Sequence, residues 1–189
     1  MMEKKGAIMM KRKKFITVCF VVLILFCNFL EAKAVTTLQV PYYKQEKSNW
    51  CWAATSRMTG KYLYPASSVS QTQIVQHVKG SVVNRPATVY ETVDATEYVT
   101  NDAINFAEVR APLSFASVKT YINAGIPIQP LVNDGSSGHY YVIYGYNETS
   151  SGNYLYLVDP WDAYGKYVSY DDFLNGTWEE DRPWIESVA

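Results

Sequence analysis

The stretch Gln45-Glu46-Lys47-Ser48-Asn49-Trp50-Cys51-Trp52-Ala53-Ala54 decides how the rest of the chain is read. It passes from a polar, turn-prone segment into apolar residues that continue at helical spacing through Met58 and Tyr62. Ser48 and Asn49 are of the types that cap a helix N-terminus, because their side chains accept hydrogen bonds from its first free amides. A helix is therefore expected to start near Trp50-Cys51, with Cys51 in its first turn. Aligned peptide dipoles favour negative charge at that end, which suits a nucleophilic thiolate.

The chain has 189 residues and three cysteines, of which Cys19 and Cys27 fall in a segment that reads as a leader. Residues 1–34 combine the basic Lys11-Arg12-Lys13-Lys14, an apolar run from Phe15 to Leu30, and Ala32-Lys33-Ala34. This is the pattern of a signal peptide with an A-x-A cleavage site. An uncleaved anchor is the competing reading, but the run is 16 residues long and contains Asn28. A spanning helix needs roughly 20. Cleavage leaves residues 35–189, enough for one domain with a sizeable core, expected to be secreted without stable membrane association. Cys51 is then alone and has no intramolecular disulfide partner. A lone cysteine in an exported domain is either chemically employed or an inert small hydrophobe, and the count alone does not choose.

Seven of the 17 basic residues and two of the 18 acidic ones lie in the leader, so residues 35–189 carry a net charge of −6. Nucleic-acid binding needs clustered Lys and Arg, and this balance excludes it. All 16 tyrosines also lie in residues 35–189, as in an ordered domain with much β structure.

After the helix at Cys51, a second is expected over Ser70–Val78, closed by Gly80. A third covers Val89–Val99, and a fourth runs from Ser114 to Ala124, stopped by Gly125. From Ile126 onward the texture is that of strands: Ile126–Val132, His139–Tyr146, Tyr154–Val158, Lys166–Tyr170 and Trp184–Val188. Helices followed by strands imply an α+β domain with an antiparallel sheet.

A thiolate also needs a neighbouring imidazole, and the chain has only His77 and His139. His77 sits within the second expected helix. His139 follows Ser136-Ser137-Gly138 at the mouth of a strand, where a side chain can face a cleft, and is the better base. The next strand ends in Val158-Asp159-Pro160-Trp161, and antiparallel pairing brings its end to His139. Asp159 is thus the candidate to orient the imidazole, with a plain turn aspartate as the alternative.

With these residues in view, the opening stretch resembles the active-site segment of papain-like cysteine proteases. In that family a glutamine six residues before the nucleophile donates to the oxyanion, and Cys-Trp-Ala opens the central helix. Gln45, Cys51, Trp52 and Ala53 match at that spacing. Gly138-His139-Tyr140 resembles the family's histidine segment. Asp159 and Trp161 match the third member and its covering tryptophan, with aspartate where asparagine is frequent. The stretch resembles the bacterial bacteriocin-leader-processing peptidases and their secreted relatives, and the staphopain and avirulence-protease branches, more than the plant enzymes. The resemblance implies a helical N-terminal half whose central helix packs on a C-terminal antiparallel sheet or half-barrel. It further implies a peptidase acting on polypeptides through Cys51, His139 and Asp159, with Gln45 as oxyanion donor.

The same residues fit an amidase or transpeptidase of this clan, and the scaffold could serve as a catalytically silent binding module. No cofactor is expected. One cysteine and two histidines do not build the usual structural zinc site, and no phosphate-binding glycine loop is present. No propeptide-sized segment separates Ala34 from the domain, so a proteinaceous inhibitor is a candidate partner.

Overall fold

The structure is a computed structural model and describes residues 35–109, 111–178 and 182–189. The expected signal peptide, residues 1–34, lies outside the described residues. Among the described residues, no helix is long and apolar enough to cross a membrane.

Three helices dominate the N-terminal half: α1 (Cys51–Leu63), α2 (Gln71–Lys79) and α3 (Val89–Val99). Each of the latter two opens with a capping box. Ser70 and Gln73 bond reciprocally at α2, and Thr88 and Glu91 do so at α3, satisfying amides that have no partner within the helix. Gly80 ends α2 at φ 70°, as its position implied. Helix α1 is central and nearly enclosed, with Trp52, Ala53, Ala54 and Met58 fully buried. Gly60 allows α3 to approach, because a Cβ added there would sit 2.6 Å from the Cβ of Val99.

The expected cap of α1 is corrected. Its N-cap is Trp50, which makes no side-chain capping bond. Ser48 and Asn49 are drawn instead to Asn84, whose side chain donates to the Ser48 hydroxyl and accepts from the Asn49 amide.

The fourth helix, α4 (Phe115–Asn123), is capped by Ser114. The strands are β1 (Thr36–Thr37), β2 (Glu108–Val109), β3 (Gln129–Asn133), β4 (Gly138–Tyr140), β5 (Val142–Thr149), β6 (Gly152–Asp159), β7 (Tyr164–Ser169) and β8 (Trp184–Val188). They form two four-stranded sheets, ordered β1-β5-β6-β7 and β2-β8-β3-β4, with every pair antiparallel. The α+β class and the division into a helical half followed by antiparallel sheets are as expected. A short helix, α5 (Tyr170–Asn175), follows β7 without having been anticipated. Ser169 caps it, Asp171 and Asp172 complement its dipole, and Gly176 closes it at φ 73°.

The one strand expected over His139–Tyr146 is two. Its first part, β4, pairs with β3 in one sheet, and its second, β5, pairs with β6 in the other, with Tyr141 as the joint. Tyr140, Tyr141, Val142 and Ile143 are all buried, so this segment runs where both faces are covered and shows no alternation. Ile128 and Ile143 exchange backbone hydrogen bonds of 3.1 and 2.8 Å beside that joint.

Apolar packing gathers in three places. Trp50, Trp52, Ile74, Val75 and Val99 fill the helical half, and Ile122, Leu155, Leu157, Phe173 and Trp184 fill the sheet half. Ala54, Met58, Val142 and Val158 join α1 to β5 and β6. A buried polar seam crosses the same boundary. Gln129 of β3 donates to the Thr96 hydroxyl of α3 at 2.9 Å, and that hydroxyl lies 3.1 Å from Ser56 of α1.

Candidate active site

Cys51 is the first residue of α1, and both its neighbours hold the helix start in place. The indole of Trp50 donates to the Val83 carbonyl at 2.9 Å, and that of Trp52 donates to the Arg85 carbonyl at 3.1 Å. Two buried tryptophans thus fasten the segment on either side of the thiol to one stretch of backbone. The small Ala53 and Ala54 let the helix sink into the core behind it. Cys51 itself is 8% exposed and opens on a cavity of about 490 Å³.

His139 lines the same cavity from the middle of β4. Its ring meets the edge of Tyr141 at 4.7 Å, and its Nε2 lies 2.8 Å from Oδ1 of Asp159. Asp159, the last residue of β6, is 6% exposed. Its Oδ1 also accepts the Trp161 amide at 2.8 Å, and Lys166 Nζ stands 3.2 Å from its Oδ2. Burial by itself pushes the Asp159 carboxyl up, but the hydrogen bond and charge of His139, the Trp161 amide and Lys166 together bring it below its ordinary value. Burial likewise opposes the charged form of His139, yet hydrogen bonds and negative charge at Asp159 and Cys51 raise its pKa to about 9. Both contacts thus favour the protonated ring over the neutral one.

The structure brings Cys51, His139 and Asp159 to one cavity wall. His77 lies elsewhere, stacked on Tyr98 at 4.1 Å and bonded to Asp94 at 3.1 Å. Gln45 is buried beside the site. Its backbone amide donates to the Pro160 carbonyl at 2.7 Å, which ties it to the segment just after Asp159. Its side-chain nitrogen donates to the carbonyls of Lys47 and Ser48, both at 2.9 Å, and its Oε1 is buried without a partner. Gln45 does not line the cavity that Cys51 and His139 share. It borders a smaller one with Lys47, Ser48 and Trp161.

A second cavity, of about 360 Å³, meets the first along Asn49, Cys51, Pro86, Ser137 and Gly138, so Cys51 sits where the two adjoin. One side of this cleft is polar and charged, with Trp161, Asp162, Lys166 and Arg182; the other carries Ala87, Leu131 and Tyr140. Lys166 and Arg182 were not singled out in the sequence, because neither belongs to a local pattern that marks a site. Among the described residues, no group of three His, Cys, Asp or Glu side chains is arranged to hold a metal ion.

The Peptidase_C39 like family matches residues 37–183 of the chain. No curated protein matches it by sequence. Among solved structures, a chain from work on antibody cross-reactivity between the mite allergens Blo t 1 and Der p 1 superposes with a TM-score of 0.57. The identity there is 10%, over 85% of this chain and 73% of that one. Bromelain from Ananas comosus, solved with the E64 inhibitor, gives 0.46 at 17% identity, over 79% of this chain and 92% of that one. UfSP from C. elegans gives 0.46 at 14% identity, over 85% of this chain and 35% of that one. At these identities the likeness concerns fold, and the first of the three supports a papain-like one.

Proposed function

Since the chain belongs to the Peptidase_C39 like family and is a papain-like cysteine peptidase, we propose that it is an exported endopeptidase whose nucleophile is Cys51 and whose base is His139. The observation that carries this reading is the pairing of His139 Nε2 with the buried Asp159 carboxylate at 2.8 Å, on the wall of the cavity that Cys51 opens into. With Nε2 engaged, Nδ1 is the ring nitrogen left for the thiol. Asp159 then selects the tautomer and stabilises the imidazolium.

In this reading the Cys51 thiol proton passes to His139, the sulfur bonds to the peptide carbonyl carbon, and the carbonyl oxygen takes up the negative charge as the C=O π bond opens. As that intermediate collapses, the C–N bond breaks and His139 gives its proton to the departing amine. The thioester is then attacked by water, whose proton passes to His139; the carbon–sulfur bond breaks, His139 returns that proton to the Cys51 sulfur, and the acid leaves as a carboxylate after losing its proton to solvent. The Cys51 backbone amide, at the open start of α1, is one donor for the oxyanion. Gln45 supplies the second once its amide exchanges one of the carbonyls of Lys47 and Ser48 for the substrate oxygen. Loss of one such donor costs about 10²–10³ in kcat in comparable sites, so Gln45→Ala is expected to lose activity on that scale.

The test is hydrolysis of a denatured protein substrate. Cys51→Ala should fold normally and be inactive, and E-64 should label Cys51 in the parent but not in His139→Ala. Undiminished hydrolysis by Cys51→Ala would end the proposal. Export is supported by the basic and apolar pattern of residues 1–34 and predicts a mature N-terminus at Val35, which N-terminal sequencing reads directly.

A further inference from the structure

Lys166 is placed on β7 across from Leu157, and its ammonium reaches the carboxylate oxygen of Asp159 that His139 does not use. The side chain is 20% exposed and the carboxylate 9%, so the pair is mostly removed from solvent. Its stem brings the charge 5.4 Å from the Trp178 ring, and it lines the cavity that holds Cys51 and His139. A bare aspartate would make His139 a stronger base than a proton-donating imidazole should be. A general acid must release its proton to the leaving amine, and excess basicity slows that release. A cation on the far oxygen offsets part of the carboxylate charge.

We propose that Lys166 is a positioning residue of this site, acting through Asp159 to set how readily His139 gives up its proton. The assignment rests on the peptidase reading above. Orientation is not its contribution, because the Trp161 amide already fixes Oδ1 at 2.8 Å and leaves Oδ2 for the lysine. Its contribution is charge. Among the described residues, the other charged or titratable groups around His139 are Cys51 on α1, Tyr141 against its ring at 4.7 Å, Asp162 in the β6–β7 turn, and Arg182, which is paired with Asp134 at 3.7 Å. Lys166 is the cation that the structure places on the carboxylate bonded to His139. Removing it leaves the Asp159 charge to be met by His139 and the Trp161 amide alone, so His139 should hold its proton more tightly.

Because His77 and His139 are the only histidines, the test is direct. The His139 ring is followed by NMR against pH in a His77→Gln background, and kcat/KM for a peptide substrate is measured over the same range. Lys166→Met is expected to raise the His139 midpoint by about one pH unit, a shift of the size one nearby charge produces. The alkaline limb of kcat/KM should move up with it. At neutral pH kcat should fall by about three- to tenfold as the acid weakens. Lys166→Arg, which keeps the charge, should leave both midpoints in place. If Lys166→Met does not fold, Lys166→Gln carries the same expectation. A parent that hydrolyses peptides while Lys166→Met leaves the midpoint unmoved, or lowers it, overturns this assignment alone. A parent that hydrolyses nothing overturns the reading of the site, whatever the NMR shows.

Discussion

At the residue scale, the pair of His139 and Asp159 ties activity and stability to pH in a definite direction. His139 has its pKa raised from 6.5 to about 9 in the fold, so the folded state keeps a proton that the unfolded state releases between those values. Stability from this group is full below pH 6.5 and is lost as pH rises through about 9. Asp159 is shifted downward, so its contribution is present above its ordinary value of 3.8 and is lost on acidification. Urea midpoints should therefore fall between pH 6.5 and 9 in the parent, and this slope should flatten in Asp159→Asn. An equal slope in both would detach His139 from the effect. That Cys51, His139 and Asp159 would meet was legible in the sequence because Cys51 opens a helix, Asp159 ends a strand and His139 follows the Gly138 that begins one, each within a short motif. Gln45 was singled out through the family resemblance. Its amide is held by the carbonyls of Lys47 and Ser48 outside the cavity of Cys51 and His139, which was not legible because a backbone acceptor leaves no mark in the sequence. Lys166 was hidden for a related reason. Its closeness to Asp159 depends on the register of the β6–β7 hairpin, and no side-chain pattern encodes that register.

At the element scale, close approach and capping explain where the helices sit. Substituting Gly60 by Val drives a branched side chain into Val99 and should cost about 1–3 kcal/mol or more, read as a lower urea midpoint with unchanged slope. Thr88→Ala removes one half of the α3 capping box and should cost about 1 kcal/mol. Helix α3 has the limits expected for it, Val89–Val99, and the structure adds the capping box of Thr88 and Glu91 that the sequence reading did not use. The start of α1 was read correctly for a reason that fails. Ser48 and Asn49 have capping chemistry but spend it on Asn84, and the anchoring is done by the indoles of Trp50 and Trp52. The break at Tyr141 was invisible for a different cause. A run buried on both faces carries no alternation, so nothing in it announces a change of sheet.

At the scale of the whole described domain, the proposed nucleophile and its proposed base arrive from different halves. Cys51 comes with α1, and His139 and Asp159 come with β4 and β6. Their meeting depends on the boundary that Ala54, Met58, Val142 and Val158 pack and that Gln129, Thr96 and Ser56 bridge. Gln129→Leu removes the amide that donates to Thr96, whose hydroxyl keeps Thr92 and Ser56 as partners, at a cost of about 0.5–1.5 kcal/mol. Activity should be lost on heating at a lower temperature than in the parent.

That polar seam also governs what different instruments report of this molecule. The helices and sheets each keep their own hydrogen-bond ladders whether or not the boundary holds. A preparation whose halves have loosened would therefore give a nearly native far-ultraviolet spectrum while reacting poorly with E-64. Titrating active sites, rather than recording circular dichroism, is how a batch of this protein should be judged sound.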